Sequence, residues 1–391
     1  MLALGEQPAD LRLSWALRYS SGSFHIRLDW PAFAAKWPLF YFLIRGYGLQ
    51  FFNRTTVLEE HKMKKILMIC LCLLALTFAA CKQGNNNSSN PLENAEGLIV
   101  VGFSQVGAES DWRLANTKSM RETFNEAKGY KLILKDAQQK LDNQISAVRE
   151  FIVQKVDYIV IAPVTEEGWD DVLKEAKAAG IPVIIVDRMI KTSGDDLYTC
   201  WVGSDFRREG DAAVAWMEAK FKNKANLSIV HLQGSMGSSA QIGRTEGLQA
   251  GVKRKPGWEV AYRASGDFTQ VKGKEVMEYI LKKYSHIDVL YCENDNMAFG
   301  AMEAMKADNR TYGVNGDVTI ISFDATRAGL GATLKGDINY NVECNPLHGP
   351  RVETIIQQLE KGETPDKLVY VEEVAFDAAT ITQEDIDVRA Y

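Results

Sequence analysis

Cysteine is scarce in this chain, six in 391 residues, and only Cys200, Cys292 and Cys344 lie beyond Cys81. An odd remainder of three supports no disulfide framework, even in an oxidising compartment. A basic surplus is lacking as well: the formal net charge is −6 and the pI is near 5.6, which argues against the basic face that a nucleic-acid partner needs. Glycine-rich phosphate loops are missing, because neither Gly102 to Gly107 nor Gly266 to Gly273 has G-x-G-x-x-G or Walker spacing. No catalytic or metal signature stands in their place, so the sequence implies neither an enzyme nor a cofactor. Long hydrophobic runs are absent too. The apolar stretch Ile66 to Phe78 is thirteen residues, well short of the roughly 20 that a membrane-spanning helix takes.

What surrounds that short run gives it a different meaning. Met63-Lys64-Lys65 precedes it and Ala79-Ala80-Cys81 follows it, the positive, apolar and small-residue parts of a secretory signal. Export is therefore expected. Cysteine directly after Phe-Ala-Ala resembles the lipobox of bacterial lipoproteins, with Phe78 where Leu is usual. A diacylated Cys81 would become the mature N-terminus and anchor the chain to a membrane; ordinary cleavage with a free N-terminus is the alternative. Residues 1–62 do not fit an exported protein, and a start site placed ahead of a true initiation at Met63 explains them. A membrane segment around Phe33 to Phe52 is the rival, but Lys36 and Arg45 interrupt it at a cost. Residues 81–97 include the polar run Lys82 to Pro91, which cannot bury enough to offset its ordering entropy and reads as a flexible tether.

Folding is expected from Leu98, leaving about three hundred residues, more than one core usually serves. Short β-branched runs alternate with longer amphipathic ones, the pattern of a parallel sheet connected by helices. Strands are expected at Leu98–Phe103, Lys131–Leu134, Tyr158–Ile161, Val183–Val186 and Thr199–Val202, with helices at Trp112–Lys128, Leu141–Gln154 and Gly168–Ala179. A second series begins with helix Arg207–Phe221 and continues through strands Leu227–Leu232, Glu259–Ala264, Val289–Cys292 and Val318–Phe323. Helices Ser239–Lys253, Gln270–Lys283 and Met297–Lys306 connect them. The class is α/β: two doubly wound parallel sheets in tandem.

In open parallel sheets ligands sit outside the carboxyl ends of the strands. Those positions carry Glu109, Trp112 and Arg113 after the first strand, Asp187 and Arg188 after the fourth, Asn294 and Asp295 late in the second series, and Asp324 after its last strand. Arg244 lies nearby on the helix after His231-Leu232-Gln233-Gly234. A sugar offers hydroxyls that both donate and accept, beside an apolar C–H face. Carboxylates accept, Arg and Asn donate in fixed directions, and Trp112 can cover the ring. Each residue also has a plainer role: a solvated pair for Asp187-Arg188, an N-cap for Asn294-Asp295, a turn cap for Asp324, core for Trp112 and solvent exposure for Arg244. Their common place at strand exits favours a monosaccharide site.

These residues also carry a resemblance. Val101 to Gly107 with Glu109-Ser110 and Trp112-Arg113, then Gln138-Gln139-Lys140, Ile161-Ala162-Pro163-Val164, Asp187-Arg188, Leu232-Gln233-Gly234, Ser265 to Thr269 and Asn294-Asp295-Asn296-Met297 resemble the periplasmic galactofuranose-binding proteins of ABC sugar importers. Asp187-Arg188 and Asn294-Asp295 are shared with ribose-type relatives; Ser104 to Arg113 is more selective. The resemblance implies a type I periplasmic-binding-protein fold of two lobes whose chain crosses between them three times. It implies lobes of 98–203 plus about 324–345, and 204–323 plus about 346–391. Residues matching Glu109, Arg113, Asp187, Arg188, Arg244, Asn294 and Asp324 would hold the sugar, with Trp112 near its ring. Two departures stand out: Asp111 replaces a common glycine and adds a carboxylate at the cleft mouth, and Ser322-Phe323-Asp324-Ala325 replaces an Asp-Gly dipeptide. A monomer that hands its sugar to an ABC permease is implied. Delivery of the same signal to a membrane kinase or chemoreceptor is the alternative. A sugar-responsive repressor is disfavoured, since an export signal stands where its helix-turn-helix would be.

Overall fold

The computed structural model describes residues 97–391 and, upstream, the backbone of β1 (Ala16–Ser20), β2 (Ser23–Arg27) and β3 (Thr56–Leu58), an antiparallel sheet of order β1-β2-β3. The rival membrane segment at Phe33 to Phe52, the signal at 63–80, Cys81 and the tether up to residue 96 lie outside the described residues. Among the described residues no helix is long and apolar enough to cross a membrane.

Strands β4 (Ile99–Gln105), β5 (Tyr130–Asp136), β6 (Tyr158–Ile161), β7 (Val183–Val186) and β8 (Cys200–Gly203) form the first lobe's sheet together with the late strand β14 (Leu368–Tyr370). The order is β14-β8-β7-β6-β4-β5, and every pairing is parallel. Successive side chains point to opposite faces, so Val160, Ile184 and Val186 enter one core while Ile159, Ile161, Val183 and Ile185 enter the other. Burial on both faces is why these strands are continuously β-branched rather than alternating. Where a helix presses close, the strand gives up its side chain: a Cβ on Gly102 would lie 2.6 Å from the Phe151 ring.

The second lobe repeats the plan with β9 (Leu227–Gln233), β10 (Trp258–Ser265), β11 (Val289–Cys292), β12 (Thr319–Asp324), β13 (Tyr340–Glu343) and β15 (Ala375–Asp377). The order is β10-β9-β11-β12-β13-β15, parallel except for β15 against β13. Helices Phe206–Lys220 and Ser239–Arg254 cross here backbone against backbone. A Cβ on Gly247 would sit 2.5 Å from the Gly210 carbonyl carbon, and one on Gly210 would sit 2.9 Å from the Arg244 carbonyl oxygen.

The late chain corrects one expectation. Residues 324–345 do not join the first lobe: Tyr340–Glu343 pairs with β12 in the second sheet. Residues 346–391 do not all join the second lobe either. Helix Gly349–Glu360 seats Val352, Ile355 and Ile356 in the first lobe's core beside Val101 and Phe103, and β14 pairs with β8. The chain then returns, and Ile381 and Ile386 pack with Leu330 in the second lobe. It thus crosses three times, at Gly203 to Phe206, Glu343 to Gly349 and Tyr370 to Ala375.

Candidate functional site

A cavity of about 280 Å³ lies between the lobes at the carboxyl ends of their strands. The first lobe contributes Glu109, Ser110, Trp112, Arg113, Asp187 and Arg188; the second contributes Phe206, Ala240, Arg244, Phe268, Asn294 and Asp324; Cys344, on the second crossing, completes the wall. The lobes are closed over it. Asp111 N donates to Asn296 Oδ1 at 3.0 Å and Asn296 Nδ2 returns a bond to Asp111 Oδ2 at 3.2 Å, so the carboxylate expected at the cleft mouth ties the two lobes together. Glu166 N to Gly237 O at 3.1 Å and Met189 N to Ser239 Oγ at 2.8 Å bridge the lobes elsewhere.

Local structure explains how each side chain arrives. Ser110 caps helix Asp111–Thr123 by accepting from Arg113 N at 3.1 Å, which turns Trp112 and Arg113 inward immediately after β4. Arg113 then donates to Asp187 Oδ2 at 2.8 Å, to Glu109 Oε1 at 3.1 Å and to Gln105 Oε1 at 3.2 Å. Arg188 donates to Val164 O at 3.2 Å and lies 3.7 Å from Glu109 Oε1. Across the cleft, Arg244 pairs with Glu209 Oε2 at 2.6 Å, donates to Glu293 O at 2.5 Å and lies 3.6 Å from Asp324 Oδ1. Asn294 caps a helix, its Oδ1 accepting from Met297 N at 2.9 Å, and the residue also lines the cavity. Trp112 lines the wall too, its Nε1 donating to Cys344 O at 2.6 Å.

The two lobes present opposite protonation chemistry. Burial alone would raise the Asp187 carboxyl, but the guanidiniums of Arg113 and Arg188 outweigh it and hold Asp187 below the usual carboxylate range. Asp324 is pushed well above that range by burial, against the pull of Arg244, with Asp295 and Glu209 adding repulsion. Burial, then the charge of Arg113, lowers Arg188 to about 10. The first wall thus favours the ionised, purely accepting form of Asp187, while burial on the second favours the form of Asp324 that can also donate. The buried Glu109 Oε2 has no hydrogen-bond partner among the described residues.

Eight of the nine expected side chains meet in this cavity, and Asp295 does not. Its carboxylate is turned into the second lobe, where it accepts from Ser322 Oγ at 2.7 Å, Thr326 N at 2.9 Å, Thr326 Oγ1 at 2.8 Å and Asn341 Nδ2 at 2.8 Å. It stitches β12 to the next helix, filling a place that leaves Gly329 no room for a side chain. Sequence reasoning missed Phe206 and Phe268, the aromatic planes of the second lobe. Phe268 and Phe206 each stand three residues beyond a strand, β10 and β8, so the strand-exit rule would have found both. Glu209 was missed as well, since in Arg207-Arg208-Glu209 it looks like one more solvated charge. Among the described residues, Glu209, Cys344 and Glu373 bring a donor atom each to within 4.8 Å of one another. Burial pushes the Cys344 thiol well above its usual range, and Glu373 Oε1 is already occupied by two donors, so the trio is a poor fit for a cation.

Comparison with known proteins agrees with this geometry. The family profile described as periplasmic binding protein domain matches residues 101–348. The galactofuranose-binding protein of Escherichia coli K12 is 38% identical over 290 residues, covering 73% of this chain and 90% of that protein. A Mycobacterium smegmatis structure in complex with β-D-fucofuranose is 41% identical with a TM-score of 0.69, covering 72% of this chain and 92% of the other. The arabinose-transporter binding protein of Shewanella sp. ANA-3, bound to α- and β-L-arabinofuranose, is 39% identical with a TM-score of 0.70, covering 74% and 95%.

Proposed function

The chain belongs to the periplasmic binding protein family, and from that premise we propose that it captures one monosaccharide in its five-membered-ring form, galactofuranose first among them, and delivers it to an ABC importer. The observation that carries this reading is the convergence of buried acceptors, guanidiniums and aromatic planes from both lobes on one small space. The relatives described above support the ring form, since the ligands named for them are furanoses.

Capture works by hinge closure. A sugar touching both walls stabilises the closed form over the open one, and only that difference shifts the population. No bond is made or broken, so the protein acts as a receptor and not as an enzyme. The test is a calorimetric titration with galactose, arabinose, ribose and glucose. Binding of galactose or arabinose with little or none of glucose is expected; tight binding of glucose with none of galactose or arabinose refutes the assignment.

Export and anchoring complete the proposal. With synthesis from Met63 and acylation at Cys81, the receptor would be a membrane-tethered monomer held near its permease, raising their effective concentration. Cys81→Ser is expected to move the protein from the membrane fraction to the soluble one. Unchanged fractionation contradicts the anchor.

A further inference from the structure

We infer that Glu373 is a positioning residue of the hinge, and that its carboxyl, together with that of Glu209, takes up a proton as the lobes close over the ligand. The inference rests on the sugar-receptor reading for its ligand and on the three crossings for its geometry. Glu373 sits on the third crossing. Its Oε1 accepts from Ser204 Oγ on the first crossing at 2.6 Å and from Asn345 N on the second at 2.6 Å. A single oxygen therefore pins all three interlobe segments to one another, so the axis about which the lobes turn depends on it.

The same carboxyl has a like-charged neighbour. Carboxylate oxygens of Glu373 and Glu209 and the Sγ of Cys344 lie within 4.8 Å of one another, and Glu209 Oε1 has no hydrogen-bond partner among the described residues. Arg244 compensates Glu209 on its far side through Oε2, with Asp187, Asp324 and Tyr291 beyond. Glu373 faces Glu343 from β13 and Arg351 from helix Gly349–Glu360. Two carboxyls this close cannot both be ionised cheaply out of water. Burial pushes Glu209 up to about 7 despite Arg244, while burial and then the charge of Glu209 push Glu373 up to about 8.

Cys344 forms part of the cavity wall, so parting the lobes brings water to the pair behind it. Hydration returns each carboxyl toward the ordinary value of about 4.3. The closed form then has the higher proton affinity, and the sign follows. Closure gains its full advantage at pH values below the open-form titration and loses it as pH rises through 7 and 8, with a plateau above.

The test is titration calorimetry with the sugar that the panel identifies, from pH 5.5 to 8.5, in pairs of buffers with different ionisation enthalpies. Kd is expected to rise by about tenfold or more across that range, because the proton held more tightly by the closed form is lost from it as pH rises, with net proton uptake at pH 7. Glu373→Gln keeps an acceptor for Ser204 and Asn345 but cannot titrate, and is expected to reduce both the uptake and the slope. Glu373→Ala unpins the crossings and is expected to weaken binding at every pH, a loss that glutamine rescues. Because Asp187 and Asp324 also face the ligand, the comparison with Glu373→Gln assigns the effect. Binding that is independent of pH, or a glutamine variant with undiminished uptake, overturns the hinge inference and leaves the sugar reading standing. Failure of every sugar to bind at any pH overturns both.

Discussion

Asp187→Asn is expected to lower sugar affinity by roughly two to three orders of magnitude while the protein still folds. The carboxylate is buried between Arg113 at 2.8 Å and Arg188 at 4.0 Å, so neutralising it leaves two guanidiniums facing each other without their shared counter-charge. Removing one partner of a buried charged pair in an interface costs about 2–5 kcal/mol, and about 1.4 kcal/mol is a tenfold change in Kd. Asparagine is the informative substitution because Asp187 has φ +63°, a left-handed backbone that Asn adopts at less cost than alanine. Alanine would mix backbone strain with lost charge. Arg188→Ala tests the same network from the other side. Calorimetry measures the loss and circular dichroism checks the fold; a Kd within threefold of the unmodified protein for both variants removes this pair from the proposed site.

The second large effect concerns a residue with no side chain. Gly247→Ala is expected to lower the melting temperature by roughly 5–10 °C, because its Cβ would meet the Gly210 backbone at 2.5 Å and 2.6 Å, where no side chain can swing aside. Overpacking typically costs about 1–3 kcal/mol, and each kcal/mol shifts a domain of this size by about 2–4 °C. Arg244 is three residues earlier on the same helix, so forcing the helices apart also draws its guanidinium from Glu209 and from the cavity. Affinity should fall with stability. Gly331→Ala is the control: it lies in helix Arg327–Leu334 with nothing within 4 Å of its added carbon. There alanine is expected to be neutral or to stabilise by up to about 1 kcal/mol. Equal melting temperatures for the two variants would argue against a tight helix crossing.

The alternating elements were readable from Leu98 to Asp324 because each sheet is buried on both faces and each helix on one. Continuous β-branched runs and amphipathic stretches therefore alternate without ambiguity. The expected strand Val183–Val186 and helices Leu141–Gln154 and Gln270–Lys283 coincide with the observed elements. After Asp324 that signal fades. Strands Leu368–Tyr370 and Ala375–Asp377 have three residues each, too few for any period. Their sheet is decided by partners far away in sequence, Trp201 for Leu368 and Val342 for Ala375.

Much the same holds at the site. Strand exits are local features, so Asp187, Arg188 and Asp324 could be placed in advance. Which way a side chain points is not local. Asn294 faces the cavity and its neighbour Asp295 faces away, because Ser322, Thr326 and Asn341 offer donors that no reading of the dipeptide contains. Glu209 is the reverse case, a buried counter-ion hidden in an ordinary run of charges.

Trp112, Phe206 and Phe268 wall a cavity whose mouth is closed by the Asp111–Asn296 pair, so under the proposed reading a captured sugar leaves only when that pair parts. On the proposed sugar-receptor reading, supply then depends on free monosaccharide outside the cell.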